Sequence, residues 1–186
     1  MNVYDFDKTI YDGDCTVDFV FYCFKRYPTL LKHIPLQLGN GILFITKLRS
    51  KQIFKEKLYS FLQSIPNIDS TIQSFTDSHL KNVKAWYFQQ QRSDDLIISA
   101  SPEFLIGVFC KKLSITQWMA SPVDPFTGKY NGKNCYGQEK VRRFDEFYQR
   151  YDVESFYSDS YSDDPLAQIS KQAYLVKGNK LLPWKK

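Results

Sequence analysis

Short apolar segments recur along the 186-residue chain, and most of them are separated by stretches long enough to form a helix. This alternation constrains the fold more than any other feature, because parallel neighbouring strands need long crossover connections that are usually helical. The predicted strands cover residues 2–6, 95–99, 113–120, 155–158 and 173–177. We therefore expect an α/β fold built on a parallel sheet.

Helix signals fill the connections in the second half of the chain. Residues 102–112 predict a helix with Ser101 as its N-cap, Pro102 in its first turn and two lysines at its end. A second, amphipathic helix is predicted for residues 138–151. Both helices lie where a crossover between parallel strands is needed.

Two further features complete this half. Turn residues between positions 119 and 137 indicate a β-hairpin excursion. A third helix is expected to begin at Asp164, which we interpret as its N-cap because Pro165 follows directly.

Residues 15–92 differ from the rest, since they contain no convincing strand pattern. Their apolar residues follow helix-length patterns over residues 17–27, 30–48, 50–63 and 71–91. We therefore predict two domains. Residues 1–14 and 93–186 would form the α/β core, and residues 15–92 would form a helical cap domain inserted after the first strand.

Composition narrows the class of protein. With 43% hydrophobic residues, the chain is globular. Its net charge of +5 leaves nucleic acid, acidic membrane surfaces and small anions as candidate partners. The apolar stretch 34–46 is too short and interrupted to span a membrane, which takes roughly 20 residues. Four aspartates occupy the first 14 residues, where a secretory signal would be basic and then apolar, so we expect a cytoplasmic protein. The four cysteines form no CxxC pair and are expected to be reduced thiols.

Asp5 and Asp7 stand two residues apart where the first strand ends. On an extended chain their carboxylates project to the same side. Two neighbouring carboxylates repel each other unless a cation lies between them, so a hard divalent ion is the natural companion. Taken alone, the segment could equally be a solvated acidic turn.

Two later strands also end in polar residues, because residues 96–98 lead into 99–101 and residues 156–158 lead into 159–163. The carboxyl ends of parallel strands share one edge of the sheet, where ligands bind. The free N–H groups at the helix start that follows residues 99–101 suit a phosphate group. The side chains expected to converge on such a ligand are Asp5, Asp7, Ser99 and Asp159.

A cationic group is needed to offset charge on the phosphoryl oxygens in the transition state. Lys140, in the first turn of the helix predicted for residues 138–151, is the candidate. An ordinary solvent-facing helix lysine is the alternative interpretation. Only the position of Lys140 in the series Asp-x-Asp, Ser, Lys, Asp along the chain favours a functional role.

In that order, the segments DFDKT (5–9), IISAS (97–101), GQEKV (137–141) and SDSYSD (158–163) are similar to the four motifs of the haloacid dehalogenase superfamily. The chain resembles the branch of that superfamily that is similar to phosphoserine phosphatases. The resemblance spans residues 5–163. It implies a Rossmann-like, doubly wound parallel sheet with an inserted α-helical cap.

The resemblance also implies a magnesium-dependent phosphatase that hydrolyses a phosphomonoester through an aspartyl-phosphate intermediate. Asp5 would be the nucleophile and Asp7 the general acid and base. The implied phosphate-binding residues are Ser99, Ala100, Ser101 and Lys140. The implied Mg²⁺ ligands are Asp5, the main-chain carbonyl of Asp7, and Asp159, with Asp163 supporting the ion or Lys140.

The chain departs from the family pattern at Lys8, Ser158 and Ser160, where smaller residues are usual, and these changes bear on the size of the pocket. In the family a short flap follows the first motif, so Asp12 is interpreted as a turn residue. Asp14, at the entrance to the insert, is a candidate for substrate contact.

Several alternatives stay open at the level of sequence. A phosphotransferase of the same fold would pass the phosphoryl group to another alcohol. A lipid-phosphate phosphatase would use the apolar residues 34–48, flanked by basic residues, for peripheral contact with a membrane, although packing within the cap is the favoured explanation for them.

Two rival classes are less well supported. A histidine-dependent hydrolase is disfavoured, because His33 and His79 both fall in the insert. A non-catalytic nucleic-acid-binding module would use the basic charge, but no basic-aromatic motif is visible, so no nucleic acid is expected. The expected partner is a small anionic phosphate ester.

Overall fold

The computed structural model describes residues 1–35, 39 and 51–185. These residues form a six-stranded sheet in the order β3-β2-β1-β4-β5-β6, in which β1 to β5 are parallel and β6 is antiparallel to β5. The strands are β1 (Asn2–Tyr4), β2 (Leu96–Pro102), β3 (Gln117–Ser121), β4 (Ser155–Ser158), β5 (Gln172–Lys177) and β6 (Lys180–Pro183). The predicted α/β fold with a doubly wound sheet is confirmed.

Helices precede and flank the strands. The described α-helices are α1 (Cys15–Arg26), α2 (Lys51–Tyr59), α3 (Ile68–His79), α4 (Ala85–Gln90), α5 (Glu103–Lys112), α6 (Gln138–Phe147) and α7 (Asp164–Gln168). Short 3₁₀ helices cover Pro28–His33, Ser60–Ser64, Leu80–Asn82, Arg150–Asp152 and Tyr161–Asp163. None of the helices in the described ranges is long and apolar enough to cross a membrane.

The position of β1 determines where the candidate site forms. This strand lies between β2 and β4, with Tyr4 opposite Ile97 on one side and Tyr157 on the other. All three strands run in the same direction. Their carboxyl ends therefore meet at one edge of the sheet, which is where such folds bind ligands.

Both faces of the sheet are buried, and alternate residues of each strand point to opposite faces. Val3 belongs to a hydrophobic cluster that includes Phe144 of α6. Its neighbour Tyr4 belongs to a second cluster that includes Phe109 of α5. Because each face has helices packed on it, the central strands are apolar on both sides, as in other parallel sheets.

The helices of residues 15–92 pack into the second of these clusters. Phe75 of α3 makes edge-on contacts with Phe19 of α1 and with Phe109 of α5, at centroid distances of 5.1 and 6.0 Å. The described part of the insert therefore shares buried apolar surface with the sheet. The division into a core and a separate cap domain stays a prediction.

Two helix starts differ from the sequence-based expectation. Strand β2 continues through Pro102 and α5 begins at Glu103, so the prediction that Ser101 caps this helix is wrong. Helix α7 already includes Asp164, whose carboxylate accepts hydrogen bonds from the side chains of Gln168 and Trp184 instead of capping. In both places the residue type is typical of a helix N-cap, but the side chain forms a tertiary hydrogen bond instead.

Other helix and strand boundaries also differ from those predicted from the sequence. The helix predicted for residues 71–91 is interrupted, because the amide of Lys84 donates to the carbonyl of Ile10 (2.8 Å) and the chain is extended there. The strand predicted for residues 113–120 begins only at Gln117, and α6 ends at Phe147. The hairpin excursion is present as a loop closed by a bridge between Val123 and Tyr130.

Strand β6 was not predicted, because all four of its residues are exposed and no alternation marks it. Of the helix predicted for residues 30–48, the 3₁₀ helix Pro28–His33 is described, and residues 36–38 and 40–50 lie outside the described part of the chain.

Candidate active site

Asp5 and Asp7 follow directly after β1 and line one cavity. The amide of Asp5 continues the pairing with β4 by donating to the carbonyl of Tyr157 (2.9 Å). The carbonyl of Phe6 then accepts the amides of the next turn, and Lys8 adopts a left-handed φ of 57°. This tight turn reverses the chain at once, so both carboxyl groups stay at the edge of the sheet.

Lys140 lies between two carboxylates beneath this turn. Its Nζ is 2.7 Å from Oδ1 of Asp5 and 2.7 Å from Oδ2 of Asp163, and only 1% of the residue is exposed. Helix α6 begins at Gln138, so Lys140 stands in its first turn and reaches the end of β1. The interpretation of Lys140 as a solvent-facing lysine is therefore wrong.

Burial and charge act in opposite directions on this cluster. Burial raises the pKa of Asp5 to about 7, although Lys140 acts to lower it. Burial alone would lower the pKa of Lys140, but Asp5 and Asp163 reverse this and raise it above its usual value. Lys140 is therefore a permanent cation at the end of β1.

Asp7 is held by donors from two other elements. Its Oδ1 accepts the amide of Cys15 (2.7 Å), at the start of α1, and its Oδ2 accepts the hydroxyl of Ser101 (2.5 Å). The Ser101 hydroxyl is in turn 2.9 Å from that of Thr16. Burial, followed by the charge of Asp14, raises the pKa of Asp7 to about 6. The protonated and ionised forms of Asp7 are thus close in energy near neutral pH.

The segment 99–101 lies beside these aspartates, but its residues occupy different positions. Ala100 and Ser101 line the cavity. Ser99 is completely buried, is not among the described lining residues, and its hydroxyl accepts the amide of Ser101 (3.1 Å). Ser99 therefore shapes this loop from behind, and its predicted contact with phosphate stays a prediction.

Asp159 and Asp163 complete the acidic side of the cavity. The Thr9 hydroxyl connects Asp159 to Asp5, because it accepts the amide of Asp159 (3.0 Å) and lies 3.4 Å from Oδ2 of Asp5. Oδ2 of Asp163 accepts from the Ser158 hydroxyl (2.9 Å), whereas its Oδ1 is buried and has no hydrogen-bond partner within the described ranges. Asp163 thus has one oxygen that remains unsatisfied.

The donor set suits a hard cation. Among the described residues five aspartates and three lysines line the cavity, so its formal charge is −2 when all of them are ionised. No group of three or more His, Cys, Asp or Glu side chains in the described ranges is arranged to hold a metal ion by itself. The oxygens that fit such an ion are the carboxylates of Asp5 and Asp159 with the carbonyl of Asp7.

The cavity has a volume of about 380 Å³ and extends from the aspartates to the helices of the insert. Thr16 and Val17 of α1 line it, as do Lys55 and Tyr59 of α2. The sequence did not indicate these residues, because their helices carry no motif and only the folded chain brings them to the sheet edge.

The remaining predicted residues have structural partners. Asp14 caps α1, because its Oδ1 accepts the amides of Thr16 and Val17 at 3.0 Å, and it also lines the cavity. His33 contacts Ser64 (3.1 Å) and His79 contacts Phe75 (2.9 Å). Neither histidine is among the described lining residues.

Comparisons with known proteins bear on the family and the fold. The model of the haloacid dehalogenase-like hydrolase family matches residues 3–168. No curated protein shows significant sequence similarity to the chain. A protein with unknown function from Bordetella pertussis Tohama I has a similar structure, with a TM-score of 0.73 and 14% identity over 94% of this chain and 88% of that one.

Two more solved structures share the fold. A phosphoserine phosphohydrolase-like protein from Francisella tularensis has a TM-score of 0.55 and 17% identity, over 94% of this chain and 87% of its own. A probable phosphoserine phosphatase from Vibrio cholerae has a TM-score of 0.66 and 12% identity, over 92% of this chain and 55% of its own.

A mostly parallel α/β sheet whose central strand leads into a buried and a half-buried aspartate, with a buried lysine beside them, defines an enzyme with an acidic site at the sheet edge. The family match covers most of the chain. The chain belongs to the haloacid dehalogenase-like hydrolase family, as its four motifs predicted.

Proposed function

We propose that this hydrolase is a phosphatase that cleaves a phosphomonoester through an aspartyl-phosphate formed on Asp5. One observation carries the proposal: Asp5 is buried, is paired with Lys140 at 2.7 Å, and shares a cavity with Asp7. A nucleophile, a fixed cation and a second carboxyl group of raised pKa are the groups that this reaction needs.

In the first step, Asp5 attacks the phosphorus and the bond to the ester oxygen breaks. Asp7 gives its proton to the departing alcohol, for which its pKa of about 6 is suited. Lys140 offsets charge on the phosphoryl oxygens. In the second step Asp7 takes a proton from water, which attacks the phosphorus and releases Asp5.

Asp5, Asp159 and the carbonyl of Asp7 would hold a magnesium ion. When bound, this ion supplies positive charge that favours ionised Asp5 and neutralises the phosphoryl group. Ala100 and Ser101, which line the cavity, would contact the phosphoryl group, and the buried Ser99 fixes this loop by accepting the amide of Ser101.

The test is hydrolysis of a panel of phosphomonoesters with and without magnesium, comparing the wild type with Asp5→Asn. The substitution keeps the size of the side chain but removes the nucleophile, so we expect turnover to fall by at least about a thousandfold. Asp12→Asn is the matched control, since Asp12 belongs to the same turn but is not among the described lining residues. Magnesium-dependent turnover by Asp5→Asn at the wild-type rate would show the nucleophile to be another residue.

A further inference from the structure

The cavity has two chemically different parts. The catalytic part contains Asp5, Asp7 and Lys140. From the insert and the loop before α6, the described apolar and aromatic lining residues are Val17, Phe54, Leu58, Tyr59 and Tyr136, beside the polar Thr16 and Lys55. A molecule that fills the whole cavity therefore contacts both charged side chains and apolar ones.

Helix geometry makes the apolar part continuous. Phe54 and Leu58 are one turn apart on α2 and so lie on one face of this helix, and both line the cavity. Val17, in the first turn of α1, lines the cavity and is 46% exposed. Phe21 follows one turn later on the same face and is 69% exposed. The apolar surface thus extends from the cavity onto the outside of α1.

Two charged side chains of the cavity wall already have partners in the protein. Oδ1 of Asp14 caps α1, and Nζ of Lys55 donates to the carbonyl of Ala100 (2.8 Å) and to Oδ1 of Asn134 (3.3 Å). These groups hold the elements of the site together. An alcohol with its own ammonium and carboxylate groups would compete with those bonds, whereas an apolar alcohol would not.

We propose that the alcohol part of the substrate is apolar and packs against Val17, Phe54 and Leu58 while its phosphoryl group lies between Asp5 and Lys140. This inference rests on the proposed phosphatase function. Because the apolar wall and the catalytic groups line the same cavity, the occupant of the wall is the alcohol to which the phosphoryl group is attached. Burial of its hydrocarbon supplies binding free energy in proportion to the area removed from water.

The test is a homologous series of soluble n-alkyl phosphates, from ethyl to octyl phosphate, which differ in length but not in charge. We expect kcat/KM to rise about two- to fourfold per added methylene until the cavity is filled, mainly through KM. A kcat/KM that does not change with chain length, or that is higher for O-phosphoserine than for butyl phosphate, would overturn the inference.

Variants test whether the dependence of kcat/KM on chain length comes from the apolar side chains of the cavity wall. Phe54→Ala should reduce the increase in kcat/KM per methylene and leave ethyl phosphate nearly unaffected. Phe88→Ala is the matched control, because Phe88 is 51% exposed on α4 and is not among the described lining residues. Val17→Ser changes a half-exposed position, so it should not create a cavity in the core or destabilise the protein much. It should also reduce the increase in kcat/KM per methylene. Equal slopes in all four proteins would contradict the assignment.

The two proposals fail in different ways. If no phosphomonoester is hydrolysed in a reaction that needs Asp5, the phosphatase function is wrong and the substrate inference with it. If ethyl phosphate and longer esters are hydrolysed at equal kcat/KM in a reaction that needs Asp5, only the inference about the alcohol is wrong.

Discussion

Lys140 is the residue on which the geometry of the site depends most. It is almost completely buried, and its ammonium group is shared by Asp5 and Asp163. Buried charges of this kind are tolerated only in pairs, because an unpaired one lacks both water and a counter-ion. The same side chain thus stabilises the fold and orients the proposed nucleophile.

Replacing this lysine tests both roles. Lys140→Met leaves two buried carboxylates without their cation, so the free energy of unfolding should fall by about 3–5 kcal/mol at slightly alkaline pH. The loss should shrink at mildly acidic pH, since protonation neutralises Asp5, whose pKa is raised by burial. Urea unfolding in the presence of a chelator measures this.

The matched control is Lys111→Met, at an exposed position near the end of α5, which should change stability little. Adding Asp163→Asn to Lys140→Met should restore part of the loss, because one unpaired charge is removed. A Lys140→Met protein as stable as the wild type at alkaline pH would contradict the account of the cluster.

The sequence could indicate the site residues that follow strands, but not those that lie on helices of the insert. Asp5, Asp7 and Asp159 directly follow apolar strands, so their meeting at one edge follows from the topology. Thr16 and Lys55 reach the site from helices of the insert. Their contacts depend on tertiary packing, which leaves no local pattern in the sequence.

At the scale of elements, one close contact connects the loop after β3 to the insert. Gly128 has a φ of +72°, and a Cβ atom there would lie 2.5 Å from the carbonyl oxygen of Tyr59, at the end of α2. Helix α2 carries part of the cavity wall. The loop and the helix can approach this closely only because position 128 has no side chain.

Gly128→Ala should lower the free energy of unfolding by roughly 2–4 kcal/mol, since strain from the positive φ adds to overlap with the backbone. Gly178→Ala is the control, because Gly178 also has a positive φ (+59°) but, apart from its chain neighbours, no atom of the described residues lies within 4 Å of its Cβ position. It should cost only about 1–2 kcal/mol. Equal losses in the two variants, measured by urea unfolding, would argue against the close contact.

The elements that the sequence predicted least well are those whose ends depend on tertiary contacts. Local patterns predict one long helix over residues 71–91, but the amide of Lys84 pairs with Ile10 and interrupts it. Strand β6 is exposed along its whole length, so neither burial nor alternation indicates it. The central strands were predictable because both their faces are buried.

At the scale of the whole molecule, charge is divided unequally. Residues 15–92 contain 11 Lys+Arg and 4 Asp+Glu, whereas the other residues contain 14 and 16. Lys25, Arg26, Lys32 and Lys81 of the insert are exposed. The insert thus carries an exposed basic surface, which attracts anions from solution toward the protein.

This attraction predicts a dependence on salt. As sodium chloride rises to about 0.3 M, kcat/KM for a doubly charged phosphomonoester should fall several-fold while kcat changes little, because screening weakens the approach of the substrate. Replacing Lys25 and Lys32 by Gln should reduce the salt dependence. A kcat/KM that is independent of salt would show that the charge of the insert does not guide the substrate.

The proposed mechanism requires a covalent phosphoryl group on Asp5. Direct detection of this group is the most decisive measurement. With an aryl phosphate, whose leaving group departs without a proton from Asp7, Asp7→Asn should slow mainly the second step by removing the base, so rapid acid quenching during turnover should trap the intermediate. Mass spectrometry of the peptides should then find one phosphoryl group, located on Asp5. A phosphoryl group on Ser99 or Ser101, or turnover of the phosphomonoester with no phosphorylated protein at any time, would contradict the account.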